Sequence, residues 1–259
     1  MKNKILLSVI VVLVYLLCKN IKYFYGYVVF GPEAWNLLDH NMAITLVNYS
    51  QMLIMLVTAW LLFRNKAVEA LGLHTGFLEG LIKAFLFTLP MFIGYAFLFD
   101  FKFDYSLSAF HRYMILAGFF EEFAYRAFLF GLLFFFAGWG FVSAALIASV
   151  FFGMGHLYQA NDVQGAIAVF LFTALGSAGF AWFYLAWKNI WMVAFLHGFM
   201  DAAWGMVNVQ DNVTGSLWVN IFRFTTLGLA IYFSVKKAKA ENNYSMKGRW
   251  WRNTDARIL

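Results

Sequence analysis

Apolar runs, each close to the length of a bilayer crossing, follow one another along almost the whole chain and are separated by short polar breaks. A helix needs about 20 mostly apolar residues to span the hydrocarbon core of a membrane. On that measure the runs predict spans at approximately Ile5–Ile21, Ala43–Phe63, Gly80–Phe99, Tyr113–Phe136, Phe141–His156, Gly165–Trp187, Ile190–Met206 and Leu217–Val235. The fifth is short. The expected fold is all-α, a polytopic membrane helix bundle with about eight transmembrane helices. The first run resembles a signal peptide but has no small-residue cleavage site, so a retained signal-anchor helix is expected. Pro32 and Pro90 leave the long helices uninterrupted. No internal repeat or low-complexity linker divides the chain. Residues 1–111 are expected to hold about three N-terminal spans, 112–208 a central group of spans, and 209–259 the last span with a basic tail.

Composition strengthens this picture. The 259 residues are 63% hydrophobic and 12% charged, against about 25% charged in a soluble domain. The net charge of +6 does not point to nucleic acid. It is concentrated in the tail, where Lys236, Lys237, Lys239, Lys247, Arg249, Arg252 and Arg257 face only Glu241 and Asp255. With Trp250 and Trp251 beside it, this tail reads either as a cytoplasmic segment touching anionic lipid headgroups or as a disordered solubilising tail. The bias of Lys and Arg places both termini in the cytoplasm, together with Lys2, Lys4, Arg64, Lys66, Lys83 and Lys188. Lys19, Lys22, Lys102 and Arg112 then lie outside, as do the loops around Asn161 and Asn208–Gly215, which carry no basic residue. The expected location is a bacterial cytoplasmic membrane. Cys18 is the single cysteine, so no disulfide framework can form within the chain.

The stretch Gly118–Arg126, GFFEEFAYR, changes the picture most. An ionisable side chain at mid-membrane costs roughly 2.5–3.5 kcal/mol on insertion scales, and such residues mark functional sites. Glu122 and Arg126 are spaced i,i+4 and can pair on one helix face. Glu121 lies about 100° further round an α-helix and is expected to face a different partner. Left without a local counter-ion, it is the candidate for chemistry; the alternative is a charge cluster that only locks helices together.

Two later spans add histidines. His156 follows Phe152 at i+4, and His197 precedes Asp201 at the same spacing. A glutamate, two histidines and an aspartate in three membrane-depth segments suggest two chemistries. In one, Glu121 and His156 hold and deprotonate a water that attacks a peptide carbonyl, while His197 and Asp201 stabilise the oxyanion or the leaving group. In the other, the same side chains bind a divalent metal such as zinc, although the helical HExxH signature is absent. No cofactor is expected on the first reading. Small-residue runs at Gly153–Gly155 and Gly176–Gly179 are expected to be close helix-packing points.

Taken in order, EExxxR (Glu121, Glu122, Arg126), FxxxH (Phe152, His156) and HxxxD (His197, Asp201) resemble the three motifs of the CPBP family. That family includes the type II CAAX prenyl endopeptidases, the Abi proteins and bacteriocin-processing or immunity proteins. The resemblance runs from about Tyr113 to Val207, and Glu69–Gly76 is similar to the linker before the family core. It implies a glutamate-dependent intramembrane endopeptidase. Glu121 would be the general base, His156 would orient water, and His197 with residue 201 would form the oxyanion site. Glu122, Arg126 and Phe152 would support them. Asp201 departs from the asparagine of the eukaryotic prenyl proteases; an ionised carboxylate cannot donate a hydrogen bond, but it can orient His197. The expected partners are a peptide or protein substrate and membrane lipids, with no nucleic acid and an open oligomeric state. Two other readings compete: a non-catalytic immunity or peptide-binding protein, and a proton-coupled transporter.

Overall fold

The computed structural model describes residues 3–103, 106–207, 209, 213–240 and 249–256. Lys2, Glu241, Lys247, Arg257 and residues 208 and 210–212 of the last loop, which enter the charge and loop readings above, lie outside the described residues. Helices α1 (Lys4–Lys19), α2 (His40–Phe63), α3 (Phe77–Leu98), α4 (Phe141–Gly155), α5 (Val163–Trp187), α6 (Ile190–Met206) and α7 (Leu217–Ala240) follow in chain order. Between α3 and α4 runs a π-wound helix, His111–Glu121 and Phe123–Phe136, continuous through Glu122. No strand is present among the described residues; a single bridge pairs Trp139 with Arg252. The fold is an all-α membrane bundle, as the hydropathy pattern predicts.

By length and composition, five helices among the described residues can cross a membrane, or six if α1 and Ile21–Val29 form one span bent by 49°. The bend falls at Asn20, whose side chain bonds back to the Leu16 carbonyl at 2.8 Å. The predicted first span therefore breaks rather than running straight to Ile21. Two predicted spans fall outside that set: the π-helix, with its four charged residues, and α6, which has 17 residues. These are the helices that carry Glu121, Glu122, Arg126, His197 and Asp201. Their neighbours shield them. Within Phe123–Phe136 every residue except Phe135 is buried. The outer helices instead expose large apolar side chains such as Leu53, Leu61, Leu171 and Leu175, a surface that suits lipid and would be a liability in water.

Helix starts are fixed by side-chain caps. Asn3, Asp39, Asp162 and Asn189 accept backbone N–H bonds at the first turns of α1, α2, α5 and α6, satisfying donors that a helix leaves open at its N-terminus. The start of α4 is capped differently. Gly140, Phe141 and Val142 donate their N–H groups to the carbonyls of Trp251, Arg249 and Trp250 at 3.2, 2.8 and 2.9 Å. Buried Asn253 donates from Nδ2 to the Phe134 carbonyl at 2.8 Å. Residues 249–256 are thus a docked segment that closes one end of the bundle, which goes against the disordered alternative for these residues, with Trp250 and Trp251 exposed beside it.

The first half of the π-helix packs along α6, which also lies against α3. Gly118 sets that approach. A Cβ there would sit 2.7 Å from Gly198 Cα and 2.8 Å from the Ala194 carbonyl oxygen, closer than unbonded atoms tolerate. The expected glycine contacts are partly corrected. Gly153 packs tightly on Phe170, but Gly176 and Gly179 have nothing within 4 Å of a Cβ position and border the central cavity. Because the clash at Gly118 is with backbone, Gly118→Ala must push α6 away. We expect a loss of about 1–3 kcal/mol of stability and a matching loss of activity. Gly228→Ala, made where a Cβ meets open space, should change neither. Equal unfolding midpoints for the two variants would refute this account of the contact.

Candidate active site

Each side chain singled out by the motifs borders one cavity of about 910 Å³: Glu121, Glu122, Arg126, Phe152, His156, His197 and Asp201. They arrive from three helices. The π-helix supplies the first three, the end of α4 supplies Phe152 and His156, and α6 supplies His197 and Asp201. Distant segments of the chain therefore converge on one space.

Glu122 is the centre of the polar network. It is fully buried, and its Oε1 lies 3.0 Å from Arg126 Nη1 and 2.7 Å from His197 Nδ1. The i,i+4 pairing with Arg126 is the one the spacing predicts. Its bond to His197 is the link the sequence reading missed, since His197 is 75 residues away. His197 is held on its other side by Asp201, with Oδ2 3.6 Å from Nε2, a separation longer than a direct hydrogen bond. A carboxylate only accepts, so Nδ1 donates to Glu122 and carries a proton. Arg126 also donates from Nη2 to the Ser177 carbonyl at 3.4 Å.

Glu121 borders the same cavity as Glu122 but shares neither of the partners of Glu122, Arg126 and His197. Glu121 Oε2 is buried and has no hydrogen-bond partner, and Glu122 Oε2 shares that condition. Unpaired buried carboxylate oxygens are rare in folded proteins and call for a water or a ligand.

Phe152 explains the FxxxH spacing. The His156 ring stacks on it at 4.4 Å between centroids, and the Arg126 guanidinium lies 4.8 Å from the centroid of the Phe152 ring. His156 Nδ1 is 2.8 Å from the Phe152 carbonyl oxygen. Because a carbonyl accepts, Nδ1 is the donor, and in the neutral ring Nε2 keeps a lone pair free to take a proton. Phe180, not foreseen, packs on His197 at 5.5 Å and on Arg126 at 5.4 Å. Apolar rings thus surround the charges and lower the local dielectric, which strengthens each pairing. Among the described residues no three His, Cys, Asp or Glu side chains converge as a set of metal ligands. His40, His74 and His111 do not border the network; His111 does line the same cavity, where its Nε2 is 3.2 Å from the Tyr49 hydroxyl.

Comparison with known proteins gives a match to the same region. No curated protein and no solved structure matched the chain. Residues 103–203 match the family model described as type II CAAX prenyl endopeptidase Rce1-like. That segment contains all three motifs and every residue of the polar network. The chain is a multi-pass membrane protein that carries an Rce1-like type II CAAX prenyl endopeptidase domain, consistent with the CPBP family of membrane proteases.

Proposed function

We propose that this chain is a glutamate-dependent intramembrane endopeptidase that hydrolyses a peptide bond in a membrane-associated or secreted peptide or protein. The observation that carries the proposal is the unpartnered Glu121 Oε2 in a cavity shared with the free Nε2 side of His156. A water between them gives up its proton to Glu121 as its oxygen bonds to the substrate carbonyl carbon. His156 Nε2 accepts the water's second hydrogen bond and sets its direction. The carbonyl oxygen gains negative charge and is met by the Nε2–H of a doubly protonated His197, whose Nδ1–H is held by Glu122 and whose Nε2 side is steered by Asp201. Glu121 then passes its proton to the departing amine, and the C–N bond breaks. No cofactor takes part.

The same reading places the chain in a bacterial cytoplasmic membrane with both termini in the cytoplasm. Lys4 Nζ donates to the Ala256 carbonyl at 3.4 Å, so the described ends of the chain meet on one side of the bundle, which supports an even number of crossings. In that orientation Glu121 and His156 fall toward the outer half of their helices. The substrate is then presented from the extracytoplasmic side, which favours a secreted peptide or an anchored tail over a cytosolic prenylated protein.

The test is hydrolysis itself. The full chain, purified into lipid nanodiscs, is incubated with a membrane-peptide library in ¹⁸O-water containing EDTA. We expect new C-terminal carboxylates that carry one ¹⁸O atom. Products that form only when zinc is restored would favour the metal reading. An absence of products under both conditions would favour an immunity or peptide-binding role.

A further inference from the structure

A second cavity lies at the end of the bundle where the described ends of the chain meet. It holds about 340 Å³ and is lined by Lys4, Ile5 and Ser8 of α1, by residues 137–139 after the π-helix, and by residues 252–254 of the docked segment. None of the three motifs reaches it. Gly138 turns there with φ +82°, in the left-handed region that favours glycine. Its carbonyl accepts from the Asn253 N–H at 3.0 Å. Trp139 donates from Nε1 to Ser8 Oγ at 2.9 Å. Three distant parts of the chain thus build the walls of one small space.

The charge in this space is one-sided. Lys4 and Arg252 line it, and no Asp or Glu does so among the described residues. Lys4 Nζ donates to the Ala256 carbonyl, which uses one of the three donors of an ammonium. The Arg252 side chain is exposed and forms no ion pair among the described residues, while Asp255 is taken by Arg249. Two cations on one cavity repel each other, so an anion between them is favoured. A guanidinium fork and an ammonium point charge both suit a phosphate. The setting selects the source of that phosphate. Ile5 at the rim is exposed, as are Trp250 and Trp251 of the docked segment, and exposed tryptophan beside apolar surface marks the headgroup level of a membrane. From that rim Ile5, Val9 and Leu13 form an exposed apolar stripe along α1 at i, i+4 and i+8, a track for an acyl chain.

We propose that the cavity between α1 and residues 252–254 binds the phosphate of an anionic phospholipid, with Lys4 and Arg252 holding it. The bound phosphate ties the first helix to the docked segment. That segment in turn caps α4, the helix that ends in Phe152 and His156. The site is independent of the endopeptidase reading and stands whether or not the chain cuts peptides. It also differs from a diffuse attraction of the basic tail to a charged membrane, because it depends on the two lining cations and not on the others.

The test uses the full chain, stripped of lipid in detergent and titrated with short-chain phosphatidylglycerol, with phosphatidylcholine of the same chains, and with sodium phosphate. Native mass spectrometry reads the bound lipid, and the midpoint of thermal unfolding is followed in parallel. We expect one phosphatidylglycerol per chain, bound about tenfold or more tightly than phosphatidylcholine, whose choline cation opposes Lys4 and Arg252. It should also raise the midpoint, as a ligand of the folded state does. Arg252→Gln should weaken phosphatidylglycerol about 10- to 100-fold, the worth of hydrogen bonds to a charged group, and leave phosphatidylcholine unchanged. Lys239→Gln removes the same charge from the exposed end of α7, outside the cavity, and should change neither affinity. Equal losses in the two variants would refute the site in favour of diffuse attraction. Equal affinities of the wild-type protein for the two lipids would also refute it, a result that needs no variant to fold. Inorganic phosphate that displaces phosphatidylglycerol at a similar concentration would give the cavity to a free ion and overturn the lipid assignment.

Discussion

Glu121→Gln abolishes peptide cleavage while leaving the protein folded; that is the expected result with the largest effect on activity. The substitution keeps the shape of the side chain and removes the basic oxygen. General-base catalysis contributes about 10²–10⁴-fold to rate, so residual turnover should fall by at least about two orders of magnitude. Stability should hardly move, because Glu121 is in no ion pair among the described residues and its Oε2 has no hydrogen bond to lose. The measurement is cleavage rate beside the midpoint of thermal unfolding in the same nanodiscs. A fully active Glu121→Gln protein would end the glutamate mechanism. An inactive one that is also unfolded would reassign Glu121 to structure.

Its neighbour in the chain should behave in the opposite way. Glu122 is fully buried and holds both Arg126 and His197. Glu122→Gln leaves the Arg126 charge without a counter-ion, and breaking a buried pair in this way costs about 3–5 kcal/mol. Arg126→Met strands the Glu122 carboxylate and should cost a similar amount. The double variant Glu122→Gln with Arg126→Met removes both charges, so it should recover much of the lost stability. It should not recover activity, because His197 then lacks the carboxylate that fixes its Nδ1 proton. Denaturation of the two single variants and the double variant, with cleavage rates for each, tests the scheme. A double variant as unstable as the sum of the singles would show that the pair is not the source of the loss.

These two glutamates show where one-dimensional reasoning reached and where it stopped. The i,i+4 spacing of Glu122 and Arg126 was legible because helical neighbours follow from local geometry alone. The same geometry separated Glu121 from the pair, and in the structure Arg126 and His197 bind Glu122 while Glu121 Oε2 has no partner; the π winding of the helix had no local signal in GFFEEFAYR. The FxxxH and HxxxD spacings were likewise readable. The reason Phe152 belongs to its motif was not, since it is a platform for His156 and Arg126 and the second contact crosses between helices.

The basic tail gives a similar lesson. Composition showed positive charge beside two tryptophans, and both suggested readings treated that segment as peripheral. Backbone carbonyls of Arg249, Trp250 and Trp251 instead cap α4. Backbone carbonyl acceptors are common to all residues, so composition is silent about such a contact. Gly176 and Gly179 were misread for a related reason. Small side chains permit either close packing or open space, and only the position of the neighbouring helix tells which.

What the sequence by itself determined is the class of structure and the set of residues that matter. Apolar runs of membrane length require helices, because backbone polar groups must be satisfied within lipid, and rare charges inside those runs identify themselves by their cost. Only the tertiary structure decided how those charges are paired. It joined Glu122 to His197 and left Glu121 Oε2 open to the cavity. Spacing along one helix is fixed by its own hydrogen bonds. Contacts between helices depend on which side chains allow the helices to approach, and here Gly118 against Gly198 brings the two charged helices together.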